Sequence, residues 1–425
     1  MLLLKNGILV DPSQDICEKA DVLVVGNTVS QLSKEITPTP EMEVLDLSGK
    51  VVAPGFIDMH VHLREPGLEH KETILAGCQA AAKGGFTGLA CMPNTSPVVD
   101  NEGTVELILV RGQKYGLVNV YPIACITKGQ EGNELTEMGI LHEAGAIAFS
   151  DDGKTVKNSG VMRRALDYAK AFGFLLISHC EDEDLAGSGV MHEGLVSTEL
   201  GLAGIPALSE ELIIERDIWL AELTKSRIHI AHVSTARGVE IIREAKKRGV
   251  KVTAEVTPHH FTLTHEAVRG YDPNTKVNPP LRTREDVEAL RKGLAEGVID
   301  CIATDHAPHA REEKEVEFNY APCGISGLET AVPLAWENLY LSGYLTLPQL
   351  VQCFSTNPAR ILGIDRGSLK VGKVADITVI DPNLKQKVDK DKFYSLGKNT
   401  PFHGWELTGW PVLTIKDGKI IRLPE

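Results

Sequence analysis

Between residues 55 and 305 the chain alternates short apolar runs with longer amphipathic ones. The apolar runs, 55–62, 86–92, 118–126, 145–151, 173–180, 227–233, 251–257 and 299–305, are mostly continuous rather than alternating. Strands buried on both faces of a parallel sheet read this way. The stretches 71–84, 101–115, 160–172, 208–224, 236–249 and 284–296 predict helices between them. One helix stop is explicit: Ala245-Lys246-Lys247-Arg248 gives a basic last turn, and Gly249 ends it. Eight β-α units over roughly 250 residues predict an α/β fold, a (β/α)8 TIM barrel. The alternative, a doubly wound open sheet, usually carries a Gly-rich phosphate turn after its first strand, and none follows the run at 55–62.

The two ends have a different pattern. Residues 2–10, 21–25 and 44–52 at one end, and 375–380, 413–415 and 419–423 at the other, read as strands separated by turns. Lys416-Asp417-Gly418-Lys419 marks a terminal hairpin. The expectation is a barrel over 54–366 flanked by one small β-sandwich domain built from 1–53 and 367–425. No internal repeat or low-complexity tract interrupts it.

Composition narrows the class. The chain has 425 residues, 43% hydrophobic and 24% charged, with a mean hydropathy of −0.06, which suits a globular protein with a large core. The formal net charge of −14 repels phosphate backbones and argues against a nucleic-acid partner. No basic cluster points to a membrane surface, and no run approaches the ~20 apolar residues of a membrane span. Residues 1–7 lack the apolar region and cleavage site of a signal peptide. Eight cysteines without a Cys-x-x-Cys read as reduced, mostly buried thiols. The expected location is the cytoplasm.

Candidate chemistry lies where the strands end, since barrel function gathers at their C-terminal mouth. Asp58-Met59-His60-Val61-His62-Leu63-Arg64-Glu65-Pro66 closes the first strand. Strand alternation puts His60 and His62 on one face. The fourth strand ends in Asp151-Asp152, the fifth in His179, the sixth in His232 and the eighth in Asp305. Any one of these is ordinary as a structural residue. Five strand ends carrying nitrogen or oxygen ligands predict a metal centre of zinc or another borderline divalent ion. Six ligands exceed what one tetrahedral catalytic ion with an open position uses. Two ions, bridged by a carboxylate and a hydroxide, use them all. Asp305 is then placed to take the proton from the attacking water and pass it to the leaving nitrogen.

These motifs resemble the dihydroorotases of the amidohydrolase superfamily, in their long bacterial type I form. The 58–66 stretch and Ala303-Thr304-Asp305-His306-Ala307-Pro308-His309, followed by Lys314, carry the resemblance. Cys91-Met92-Pro93-Asn94, Ser150-Asp151-Asp152-Gly153, Ser178-His179-Cys180-Glu181, the segment from Lys276 to Arg282 and that from Gly367 to Asp376 support it. The resemblance implies the reversible cyclisation of N-carbamoyl-L-aspartate to L-dihydroorotate in pyrimidine (UMP) synthesis. It implies that His60, His62 and Asp305 hold one zinc, that His179 and His232 hold a second, and that Asp152 bridges them, with Asp151 pointing elsewhere. One or two zinc ions per chain are implied, two being the reading here.

The implied substrate carries a carboxylate. Arg64 can clamp it with two charge-assisted bonds, and Asn94 and His309 complete its pocket. Asn278 and the backbone at Cys323 and Gly324 meet the ring amides, and His62 lies beside the substrate. His259 and His260 follow the seventh strand and are read as structural or as supports behind the ligands. The charge run 311–315 is read as a solvated loop.

The rival function is that of another cyclic amidohydrolase, a hydantoinase, dihydropyrimidinase or allantoinase. Hydantoinases and dihydropyrimidinases typically bridge their metals with a lysine on the fourth strand, which 146–150 lacks. A rival of another class is a non-catalytic partner of aspartate transcarbamoylase, which would have lost ligands present here. A homodimer and an association with aspartate transcarbamoylase remain compatible with the active form.

Overall fold

The computed structural model describes residues 1–424. Eight strands, Phe56–Val61, Phe86–Cys91, Asn119–Ala124, Ala148–Ser150, Leu176–Ser178, Arg227–Ile230, Lys251–Val256 and Cys301–Ile302, lie side by side in chain order. Every neighbouring pair is parallel. The first and eighth strands close the ring through a bridge between Val61 and His306, where His62 N donates to His306 O at 2.8 Å. The buried Asp58 carboxylate reinforces this seam by accepting from Thr304 N and His60 N, both at 3.1 Å. The barrel is therefore the expected one.

The six anticipated helices form as Ile74–Lys83, Glu102–Tyr115, Ser159–Phe172, Leu208–Thr224, Ala236–Lys247 and Arg284–Ala295. All but Leu208–Thr224 start with ordinary capping chemistry: Asn101 Oδ1 accepts from Thr104 N, and Thr283 and Asp286 form a capping box. The strands are shorter than their apolar runs. The fourth and fifth have three residues each and the eighth two; the fourth and fifth runs start three residues ahead of the ladder, and the eighth leaves it three residues early at the mouth. His232 (φ 31°) and Asp305 (φ 48°) both lie just beyond their strands in the left-handed region. Residues held there cluster at functional sites.

Strands from both termini share one mixed sheet, running from Lys419–Ile420 through Glu406–Lys416, Ile377–Lys387, Val51–Pro54, Leu2–Asp11 and Ile16–Val25 to Thr28–Ser33. The terminal hairpin pairs Ile415 with Ile420. Instead of two separate sheets, this one sheet curls on itself. Thr28 at one edge bridges to Val374, just ahead of Ile377–Lys387, and Leu4, Val22, Val29, Val52, Ile377 and Ile415 meet in a single apolar cluster. Thr378 ties the sheet to the barrel, accepting from Phe56 N (3.1 Å) and donating to Gly85 O (2.5 Å).

Two features have no counterpart in the sequence reading. A parallel pair, Met191–His192 with Gly204–Ile205, sits in an insertion after the fifth strand. A segment of residues 388–405 leaves the terminal sheet and reaches the barrel mouth. No helix among the described residues is long and apolar enough to cross a membrane.

Candidate active site

His60 lies within the first strand and His62 one residue past it, their ring centroids 5.3 Å apart. Asp152, His179, His232 and Asp305 arrive from the ends of the fourth, fifth, sixth and eighth strands. Asp305 Oδ1 is 3.0 Å from His62 Nε2 and 3.4 Å from His60 Nε2. Asp152 Oδ1 lies 3.4, 3.5 and 3.6 Å from His60 Nε2, His179 Nδ1 and His232 Nε2. His179 Nδ1 and His232 Nε2 are 2.9 Å apart. Ligand atoms ~2.0–2.1 Å from a tetrahedral ion stand about 3.3 Å from one another, so this spacing fits divalent ions.

Hydrogen bonding gives an independent test of that fit. Glu255 accepts from His60 Nδ1 at 2.6 Å, and Asn94 Oδ1 accepts from His62 Nδ1 at 2.8 Å. Both bonds occupy Nδ1 and leave Nε2 facing the carboxylates, the arrangement metal-ligating histidines adopt. His60 Nε2 and Asp152 Oδ1 are buried with no hydrogen-bond partner among the described residues. Buried polar atoms seldom stay unpaired without an ion or water to satisfy them. Asp151 turns away, accepting from Ile126 N (2.8 Å) and Thr127 N (3.0 Å).

Beside this cluster lies a cavity of about 210 Å³. His62, Asp152, His179, His232 and Asp305 face it from the metal side, and His60 lies fully buried beneath. Arg64, Asn94, Asn278, His309, Cys323 and Gly324 form the remaining wall. Arg64 is buried and donates from Nε to Pro308 O at 3.1 Å. Burial, with the Arg64 and Lys314 charges, pushes the His309 imidazole down to about 3. Neutral His309 donates from Nε2 to Cys323 O at 2.8 Å. That nitrogen cannot also accept from Arg64 Nη2, 3.3 Å away, so the guanidinium keeps free donors beside the cavity. Gly324 has φ 141°, and a Cβ there would stand 2.5 Å from Ala307 O, so the wall needs glycine at this point. Asn278 donates to Glu181 Oε2 at 3.1 Å.

One sequence reading changes here. The 311–315 charge run is not wholly solvated. Lys314 is buried, donating to Pro322 O (2.8 Å) and Gly324 O (3.3 Å), and burial pushes its ammonium down to about 8. His260 does have a structural role, bonding Thr257 Oγ1 at 2.8 Å and donating to Pro279 O at 2.9 Å. His259 Nε2, by contrast, is buried without a partner among the described residues.

Sequence reasoning missed Glu255 and His229. Glu255 is fully buried, and its second oxygen meets His229 Nε2 at 3.1 Å. Burial alone would raise its carboxyl, but the His60 and His229 imidazoles hold it down at about 2. The available signal was a lone carboxylate inside the apolar run 252–256, since buried acids are almost always paired.

Known proteins of similar sequence and structure share this arrangement of chain. Residues 49–238 match the family model described as Dihydro-orotase-like, and residues 225–422 match that of the amidohydrolase family. The chain is 59% identical over 420 residues to the dihydroorotase of Pelotomaculum thermopropionicum, covering 99% of this chain and 98% of that one. It is 55% identical to the dihydroorotase of Geobacter metallireducens, with 99% of each covered. Among solved structures, the L-hydantoinase (dihydropyrimidinase) of Arthrobacter aurescens superposes with a TM-score of 0.89 at 27% identity, covering 99% of this chain and 95% of that one. The D-hydantoinase of a Thermus species gives 0.84 at 26% identity, with the same coverage. At this identity over its whole length, the chain belongs to the dihydroorotase family of the amidohydrolases.

Proposed function

We propose that this protein catalyses the reversible cyclisation of N-carbamoyl-L-aspartate to L-dihydroorotate in pyrimidine biosynthesis, using two zinc ions. One observation carries the reading: Arg64, with free donors, shares a cavity with four histidines and two carboxylates. A ring amide and a carboxylate on the same small molecule satisfy both halves of that cavity.

His60, His62 and Asp305 would hold one ion, His179 and His232 the other, and Asp152 would lie between them. When bound, such a pair supplies ionised water as nucleophile near neutral pH and polarises the amide carbonyl. The protein's own groups do the rest. Arg64 holds the substrate carboxylate, with Asn94 and His309 beside it, and so fixes which ring carbonyl faces the metals. Asn278 and the backbone at Cys323 and Gly324 meet the ring amides. Asp305 takes the proton lost from water during hydrolysis and delivers it to the departing ring nitrogen; in cyclisation it returns the proton.

A hydantoinase reading lacks its bridging lysine: Lys154 lies past the fourth strand and donates to Gln130 O at 3.2 Å. The dihydroorotase reading puts the enzyme in the cytoplasm, as a homodimer or with aspartate transcarbamoylase, which size-exclusion chromatography with and without that enzyme separates. The deciding experiment is hydrolysis of L-dihydroorotate by zinc-loaded protein, with hydantoin, dihydrouracil and allantoin in parallel and metal content measured on the same sample. Turnover of L-dihydroorotate with two metals per chain is expected. Preference for an uncharged ring would move the protein to the hydantoinases.

A further inference from the structure

The substrate wall at Ala307, His309 and Gly324 is not held by the barrel alone. Asn399, on the segment between strands Ile377–Lys387 and Glu406–Lys416, is buried against it. Its Oδ1 accepts from His309 N at 2.9 Å and lies 3.0 Å from Ser326 Oγ. Its Nδ2 donates to Ala307 O at 3.0 Å and to Gly324 O at 2.9 Å. An asparagine amide has two donors and two acceptor sites, and both donors and one acceptor site are engaged. One planar group thus spans the two chain segments that face the cavity, 307–309 and 324.

The segment carrying Asn399 is itself firmly seated. Gly397 passes so close that a Cβ would lie 2.5 Å from Pro308 Cβ and 2.7 Å from His309 N. Ser326 Oγ donates to Gly397 O at 2.7 Å, and Ser326 N to Asn399 O at 2.8 Å. Ser395 Oγ donates to the buried Glu72 carboxylate at 2.6 Å, and Tyr394 N to Glu329 at 2.8 Å. Each anchor ties the C-terminal segment to a barrel residue. None of these groups is a metal ligand or touches the cavity's metal side.

The geometry points to Asn399 as a positioning residue for substrate binding. Its amide sets the gap between the His309 and Gly324 walls, and through it the C-terminal segment shapes the pocket for the substrate carboxylate and ring. This rests on the dihydroorotase reading for the identity of the substrate. Asn399 acts through His309 and Gly324, so its loss should weaken binding and leave the metal chemistry intact.

The experiment compares wild type, Asn399→Ala, His309→Ala and the double variant, zinc-loaded, on L-dihydroorotate. Ser326→Ala serves as a milder probe should Asn399→Ala fold poorly. Asn399→Ala should raise KM about tenfold, the size of one to two lost hydrogen bonds, with kcat within about threefold and zinc content unchanged. The double variant should lose no more than His309→Ala alone, because coupled residues are not additive. Ser326→Ala should raise KM in the same direction by a smaller factor. Hydrogen exchange at residues 306–310 and 324–326 should quicken in Asn399→Ala and stay at the wild-type rate in the barrel helices. An unchanged KM, a loss confined to kcat, or additive losses with His309→Ala would overturn the assignment. If wild type itself fails on L-dihydroorotate, the functional reading falls. Exchange then decides the clamp alone: unchanged rates at 306–310 overturn it, and faster ones uphold it.

Discussion

Replacing Arg64 with Met tests the substrate assignment most directly. Met keeps much of the stem's length and apolar contact but removes every donor. Arg64 is 8% exposed, and the guanidinium's one well-defined bond to protein is Nε to Pro308 O at 3.1 Å. Because His309 Nε2 is committed to Cys323 O, the Arg64 terminal nitrogens are left for a ligand. A charge-assisted hydrogen bond in so enclosed a place contributes ~1.5–3 kcal/mol. Losing the clamp on a substrate carboxylate therefore costs about 3 kcal/mol, roughly a hundredfold in kcat/KM. The lost Pro308 bond disturbs the wall for every substrate equally, so it cancels in a ratio. The assay is kcat/KM of wild type and Arg64→Met on L-dihydroorotate and on dihydrouracil, which lacks the carboxylate. The dihydroorotate value should fall about a hundredfold and the dihydrouracil value much less. Equal losses on both rings would show that Arg64 only braces the mouth. Arg64→Lys should recover part of the loss, since charge returns without the planar fork.

Asp305→Ala should abolish turnover while protein reloaded with zinc still binds L-dihydroorotate in equilibrium dialysis; retained turnover would take Asp305 out of the proton path. Glu255→Gln should weaken zinc binding about 10–100-fold in competition with a chelator, as loss of a partner behind a metal ligand does, and unchanged affinity would reduce Glu255 to a packing role. Glu329 carries a pH prediction. Burial pushes its carboxyl up to about 7, against the backbone donors of Ser395 and Tyr394 and the charges of Lys398 and Lys83. The folded protein therefore binds the extra proton between pH 4.5 and 7, and the stability this gives is full below 4.5 and lost as pH rises to 7. Glu329→Gln should match wild type below pH 4.5, gain on it through that window and keep a lead of roughly 3 kcal/mol above pH 7, read by urea unfolding of both proteins. A difference that stays constant with pH would refute the assignment.

The barrel was legible because its strands are buried on both faces, so their sequences are apolar without alternation. Most helices between them show ordinary caps and periodicity. Strand ends were less legible. The runs at 145–151 and 173–180 are already apolar at Ala146-Ile147 and Phe174-Leu175, ahead of the ladder that starts at Ala148 and Leu176, because the chain there packs against protein before it pairs. Hydrophobicity reports burial, and in these places burial and strand pairing part company. The insertion around Met191–His192 and Gly204–Ile205 has strands two residues long, too short for any period to register.

Site residues differ in legibility according to what surrounds them in the sequence. His60, His62, Asp152, His179, His232 and Asp305 each break an apolar run at its C-terminal end, so each stands out against its neighbours. The groups that orient them do not. Glu255 sits inside a strand, and its reason for being there is His60, 195 residues away. Asn399 lies in an irregular segment of polar and small residues, and its partners at 307, 309, 324 and 326 are 73 to 92 residues distant. Lys314 reads as one more charge in a charged run, yet its amine is buried among carbonyls. A residue that reacts is chosen for its own chemistry and carries that signal locally. One that positions is chosen for its distance from something else, which only folding supplies. The supporting residues of this site are therefore the ones whose replacement should separate binding from chemistry most cleanly.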